Sequence, residues 1–261
     1  MKAAQARVLL TGASGGIGQA MREALLRTGA QVLGVSRSPQ RAGPPGLRWV
    51  QADVTSSSGL EAIAAAARDG QANLVVHAAG LPGFGPLQRL SQAQIQSVLQ
   101  ANLAAPILLT QALLPELMQR PKAQIVFVGS ALGRIGLPGF SLYGASKAGL
   151  HGFAEALRRE LADGPVRVQL LAPRSTRTAF NDAQAQAYNK AAGTQSDSPQ
   201  TVAQALIELI ESESSERYIG WPERLAVRLG GAFPVWLDGS FKAHRRYLSA
   251  DEPPVEEGER S

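Results

Sequence analysis

The sequence predicts an α/β fold: a single domain built on one doubly wound parallel sheet with helices on both faces. Three observations predict it. Short apolar runs alternate with helical stretches along most of the 261 residues. A glycine-rich turn, Thr11-Gly12-Ala13-Ser14-Gly15-Gly16-Ile17-Gly18, joins the first run to the first helix. The chemically active positions gather directly after apolar runs, beyond the carboxyl ends of the strands, where such sheets bind ligands.

The elements follow in order. Arg7–Leu10 reads as a buried strand, Gly16–Thr28 as a helix ended by Gly29, and Gln31–Val35 as a second strand. This is a βαβ unit with glycines at its first crossover. Glycine lets the backbone turn tightly and approach a pyrophosphate, whose charge is favoured at a helix N-terminus. A Pro/Gly-rich loop, Ser38–Gly46, precedes a strand at Arg48–Gln51 and an alanine-rich helix at Ser57–Arg68. Leu74–His77 and Ile125–Val128 read as the fourth and fifth strands, with helices at Gln92–Ala101 and Ala104–Gln119 between them. Tyr143–Ala162 is a long helix, Val166–Leu171 a strand, and Glu216–Gly220 the last strand. Residues 177–200 are polar and alanine-rich and are expected to form a mobile lid whose closure limits turnover. The domain is expected to span 1–220, with an amphipathic extension at 221–250 and a disordered acidic tail at 251–261.

Composition narrows the function. Hydrophobic residues make up 44% and charged residues 18%, which suits a globular domain. With no cysteine and only His77, His151 and His244, neither disulfides, thiolate metal sites nor a histidine-rich metal centre is expected. No signal segment or membrane-spanning run is read, so cytoplasmic residence is expected. The net charge of +5 is scattered and not interleaved with aromatics, a poor match to a nucleic-acid surface.

Tyr143 and Lys147 lie four residues apart on one helix face, so phenol and ammonium can converge. A free phenol titrates near ~10, and a neighbouring cation lowers that value. The pair reads as a tuned acid/base, with the Ser130 hydroxyl placed to orient a carbonyl. At the end of the second strand stand Ser36 and Arg37 where an acid would favour NAD. A guanidinium pairs with phosphate through two parallel bonds, and Ser14 adds a hydroxyl, so NADP(H) is expected over NAD(H).

These residues together resemble the short-chain dehydrogenase/reductase family over about Arg7–Ile219. The matching elements are Thr11-Gly12-x-x-x-Gly16-x-Gly18, Asp53-Val54, His77-Ala78-Ala79-Gly80, Asn102, Ser130, Tyr143-x-x-x-Lys147, and Pro173 followed by Thr178. The resemblance implies a Rossmann-like fold and hydride transfer between a nicotinamide and an alcohol or carbonyl. It implies Tyr143 as proton donor and Lys147 as the group that lowers its pKa and binds the nicotinamide ribose. Asn102 anchors a water on this reading, or alternatively only marks a helix kink beside Pro106. Asp53 meets adenine, caps the following loop, or does both. Gly12, Ser14, Gly16, Ile17, Gly18, Arg37, Val54, Ala79, Gly80, Pro173, Thr176 and Thr178 complete the expected coenzyme contacts. A dimer or tetramer through the two long helices is implied as well.

Two positions depart from the family pattern. His77 stands where asparagine braces the central strand, and an imidazole also offers a donor and an acceptor. Arg174 replaces a glycine; it reshapes the pocket mouth, adds a charge, or is tolerated in a loop. In the extension, apolar spacing with basic flanks over 222–248 suits contact with a membrane surface or docking onto the domain, with docking preferred. A 3-oxoacyl-thioester reductase, a non-catalytic NADP(H)-sensing regulator and a peripheral-membrane scaffold are the rival functions.

Overall fold

The central strands are apolar enough to be buried on both faces, and the sheet is entirely parallel. The computed structural model describes residues 1–191 and 193–220, together with Gly239, Phe241, His244, Arg245 and Leu248. The expected tail at 251–261 and most of the 221–250 extension lie outside the described residues. In chain order the elements are β1 (Arg7–Thr11), α1 (Gly16–Arg27), β2 (Gln31–Ser36), β3 (Leu47–Gln51), α2 (Ser57–Asp69) and β4 (Leu74–His77). Then come α3 (Gln92–Leu99), α4 (Ala105–Met118), β5 (Ala123–Val128), α5 (Ser141–Glu160), β6 (Val166–Ala172), α6 (Ala183–Ala191), α7 (Pro199–Ser212) and β7 (Glu216–Tyr218).

The strand order is β3-β2-β1-β4-β5-β6-β7. The order reverses between β1 and β4, and a crevice opens there beyond the strand ends. Thr11 fixes this junction, its hydroxyl accepting from the N–H groups of Ala78 and Ala79 at 3.1 and 3.2 Å. One apolar layer joins the sheet to α1 and α7 through Met21, Leu25, Val202, Leu206 and Ile210. The other joins it to α2, α4 and α5 through Ile63, Leu109, Leu113, Leu150 and Leu157.

Helix α7 is absent from the sequence expectation. Ser198 caps it by accepting from Thr201 N, Pro199 occupies its first turn, and Leu206, Leu209 and Ile210 are buried. At its far end two sheet side chains act as caps. Gln124 Nε2 donates to Ile210 O at 3.1 Å and Gln169 Nε2 to Leu209 O at 2.8 Å.

The two helices expected at 92–101 and 104–119 are continuous, joined by a π-turn at Gln100–Ala104. The combined run, Gln92–Met118, is long and apolar enough to cross a membrane by length and composition alone. Its buried Leu109, Leu113 and Leu117 pack onto the sheet, which makes it a core helix.

His77 is buried in β4, stacked on Phe127 with ring centroids 4.9 Å apart, and its Nε2 lies 2.9 Å from Thr110 Oγ1. The imidazole thus braces the central strand against α4. Burial alone pushes its pKa from 6.5 down to about 3. Between those values the unfolded chain binds a proton that the folded chain refuses, so stability falls as pH drops below 6.5. His77→Asn removes this titration. Its acid-unfolding midpoint, followed by circular dichroism, is expected at lower pH than that of the parent; an unchanged midpoint contradicts the assignment.

Candidate active site

The glycine turn after β1 is shaped by close backbone approach. Gly12 has φ +71°, and a Cβ there would lie 2.8 Å from the backbone of Ala79. A Cβ on Gly18 would lie 2.0 Å from Gly12 O, so a side chain at either place displaces the turn. Helix α1 begins at Gly16 with Gly15 as N-cap and no side chain capping it. Its first-turn N–H groups therefore stand ready for an anion. Gly12, Ser14, Gly16, Ile17 and Gly18 all line one cavity of about 800 Å³.

At the end of β2 the same cavity meets a hydroxyl cluster. Ser36 Oγ lies 3.1 Å from Ser14 Oγ and accepts from Ser38 N at 3.3 Å and Gln40 Nε2 at 3.2 Å. Arg37 is exposed beside it, also on the cavity. Asp53 Oδ1 accepts from Thr55 N at 2.8 Å and from the Thr55 hydroxyl at 2.7 Å. Those two bonds, then Arg37, hold its pKa below the usual carboxylate value. Asp53 thus caps the turn into α2 while lining the cavity with Val54.

Ala79, Gly80, Ser130, Tyr143, Lys147, Pro173, Thr176 and Thr178 line the same cavity. Ser130 follows β5, and its Oγ accepts from Leu132 N at 3.2 Å. Lys147 reaches Val128 O at 2.9 Å and stands 5.7 Å from the Tyr143 ring centroid. The expected lowering of the phenol pKa is not what these groups produce. Burial pushes Tyr143 up to about 12 against a smaller opposing hydrogen bond with Ser130. Burial likewise pulls Lys147 down to about 8, and the ammonium is spent on a carbonyl rather than on the phenol.

Asn102 is the one expected site residue that does not line the cavity. Fully buried on the π-turn, it accepts from Leu81 N at 2.7 Å and donates to Leu81 O at 3.0 Å. It also donates to Ser146 Oγ at 3.1 Å. It ties the loop after β4 to α5. Thr176 turns its hydroxyl onto Arg174 O at 3.2 Å, whereas the Thr178 side chain lies against Gly16.

A model of the short chain dehydrogenase family matches residues 6–189. The chain belongs to the short-chain dehydrogenase/reductase family. The chain is similar to the ketoacyl reductase HetN of Nostoc sp., 33% identical over 222 residues, 80% of this chain and 76% of that protein. It is 32% identical over 174 residues to the 3-oxoacyl-(acyl-carrier-protein) reductase FabG of Escherichia coli, covering 63% of this chain and 71% of that protein. A short chain dehydrogenase from Burkholderia cenocepacia, solved in complex with NADP, superposes with a TM-score of 0.80 at 24% identity. That match covers 93% of this chain and 99% of the other.

Within this family member, Arg174 has a clear structural place. Its Nε and Nη2 donate to the two carboxylate oxygens of Asp197 at 2.9 and 2.8 Å, and Nη1 donates to Gln195 at 3.0 Å. Asp197 N donates to Ser175 O at 2.9 Å and Arg177 N to Asp197 O at 3.0 Å, a short parallel bridge. The two feet of the 177–200 segment are therefore tied together at the cavity mouth.

Several cavity residues were not foreseen. In the sequence Ser36 marks only the place of a missing acid. Phe84, Leu137 and Phe140 come from loops without a motif, and Phe241 and His244 come from the extension.

Arg174→Gly leaves the Asp197 carboxylate, 11% exposed, without its partner. Limited proteolysis within 177–197 is expected to quicken by about threefold or more as the feet part. A digestion rate equal to the parent's contradicts the tie.

Proposed function

We propose that this short-chain dehydrogenase/reductase is an NADP(H)-dependent carbonyl reductase with Tyr143 as its acid. The observation that carries the reading is one continuous cavity running from the glycine turn to Ser130, Tyr143 and Lys147. The uncapped start of α1 suits the pyrophosphate, with Ala79, Gly80, Pro173 and Thr178 along the remaining path. When bound, the nicotinamide supplies the hydride.

The protein's own groups supply the rest. With its pKa at about 12, Tyr143 keeps its proton at neutral pH and can give it to a carbonyl oxygen. Ser130 holds that oxygen by a hydrogen bond. Lys147 supplies positive charge once the phenolate forms, when the attraction across this buried distance matters most. Asn102 is a positioning residue that keeps α5 aligned with the loop after β4.

NADP(H) is favoured over NAD(H) because Arg37 and the Ser14–Ser36–Gln40 cluster offer donors for a phosphate, and β2 ends without an acid. The Burkholderia relative's complex with NADP agrees with this choice. A second reading, 3-oxoacyl-thioester reduction, is favoured by the likeness to HetN and FabG. We assign the catalytic unit to 1–220 with its lid at 177–200, resident in the cytoplasm. Exposed Leu108 and Met118 on α4 favour a homodimer or homotetramer.

An NADPH-oxidation screen over plain ketones and acetoacetyl thioesters tests both readings. Tyr143→Phe is expected to lose about 10²–10⁴ in rate on whichever substrate the parent reduces. A variant as active as the parent overturns the assigned acid, and thioester turnover with inert ketones selects the second reading. Arg37→Glu is expected to lower the NADPH/NADH ratio of kcat/KM by about tenfold or more, through lost pairing and added repulsion. An unchanged ratio removes Arg37 from the coenzyme site.

A further inference from the structure

We propose that the end of the cavity beyond Tyr143 is a chamber for the apolar body of an uncharged carbonyl compound, and that Phe241 and His244 of the C-terminal extension set its specificity. The proposal rests on the reductase reading for the reaction, but not for the binding.

Rings run outward from the phenol without a break. Tyr143 meets Phe180 at a centroid distance of 6.0 Å and Phe140 at 6.4 Å. Phe84 stacks obliquely on Phe140 at 4.9 Å and on Tyr188 at 5.0 Å. Tyr188 meets His244 at 5.3 Å, and His244 meets Phe241 at 5.6 Å. Phe84, Phe140, Phe180 and Phe241 line the cavity, four of the seven phenylalanines in the chain. That concentration selects an apolar, and above all an aromatic, ligand surface.

The charges argue the same way. Arg37, Asp53, Lys147 and Arg174 are the Asp, Glu, Lys and Arg residues among the described residues lining the cavity. Arg37 and Asp53 stand at the β2 end, Lys147 is held by Val128 O, and Arg174 is held by Asp197. Burial lowers the pKa of His244, and its Nδ1 lies 2.6 Å from Tyr188 Oη. Because Tyr188 donates its only hydroxyl proton to Pro138 O at 2.8 Å, Nδ1 of His244 must carry the proton in the bond to Tyr188. Among the described residues at this end of the cavity, none is arranged to receive a carboxylate or phosphate. The Tyr188–His244 bond fastens His244 beside the chamber, and the Leu248 side chain lies near Gly139.

The test measures binding with NADP⁺ present, so that no hydride passes to the carbonyl. Butyrophenone, 2-butanone, 2-oxobutanoate and a 3-oxooctanoyl N-acetylcysteamine thioester are titrated calorimetrically into the parent, Phe241→Ala, Phe241→Leu and His244→Ala. The parent is expected to bind butyrophenone about tenfold or more tighter than 2-butanone or 2-oxobutanoate. Phe241→Ala and His244→Ala should lose most of that preference, and Phe241→Leu should keep much of it. Tighter binding of the thioester than of butyrophenone assigns the chamber to an acyl chain rather than a free ketone, within the same proposal. A parent that prefers 2-oxobutanoate, or that binds butyrophenone and 2-butanone alike, overturns the chamber; so does a folded Phe241→Ala that binds as the parent does. Should Phe241→Ala not fold, Phe241→Leu and the parent's own preference decide. A parent that binds butyrophenone but reduces no carbonyl with NADPH keeps the chamber and defeats the reductase reading instead.

Discussion

The packing of α5 against the carboxyl ends of β4 and β5 is the constraint on which the site depends. Lys147 is 6% exposed and donates to Val128 O, the last carbonyl of β5. Gly133 lies so close to the Lys147 backbone that a Cβ there would sit 2.9 Å from its carbonyl oxygen. Asn102 reaches Ser146 from the π-turn while holding both backbone groups of Leu81. Three tethers therefore fix the helix against two strand ends. A slip of one residue would rotate the helix face by about 100° and carry Tyr143 and Lys147 off the cavity.

The same burial determines the proton chemistry. A buried ammonium is costly unless it has a partner, and here the partner is a neutral carbonyl. Both the phenol and the lysine are thereby shifted toward their neutral forms. The Tyr143–Lys147 spacing by itself puts the cation's influence on the phenol at rest. On the proposed reading, that influence acts when negative charge appears on the tyrosine oxygen. A group that holds its proton until the carbonyl is in place is suited to reduction, since premature ionisation would remove the acid.

Much of the fold was legible because local and global signals agreed. Leu74–His77 and Ile125–Val128 are continuous apolar runs because parallel strands are covered on both faces. The glycine turn was legible because backbone clashes at Gly12 and Gly18 demand that residue. Helix α7 is not separated from the preceding loop in the sequence, although its cap, its proline and its apolar stripe are all present, because Ser198-Pro199 equally suits a turn. The π-turn left no local mark, since its reason is Asn102 reaching Leu81 and Ser146, contacts that exist only after folding. Arg174 was ambiguous for the same reason: its partner Asp197 lies 23 residues away. The hydroxyl cluster at Ser36 needed the register that brings Ser14 beside it.

Helix α6 shows how tertiary contact replaces local pattern. Its sequence is polar and alanine-rich, and only Ala185 and Tyr188 are buried. Without an apolar stripe such a short helix has little stability of its own. Tyr188 supplies what the stripe does not, packing on Phe84 and Phe140, bonding Pro138 O, and meeting His244. Three separate segments thus converge on one phenol ring. Any motion that lifts α6 from the cavity must break these contacts together, while the Arg174–Asp197 tie still holds its feet. The placement of α6 and the shape of the aromatic end of the cavity are therefore set by the same interactions, and changing one changes the other.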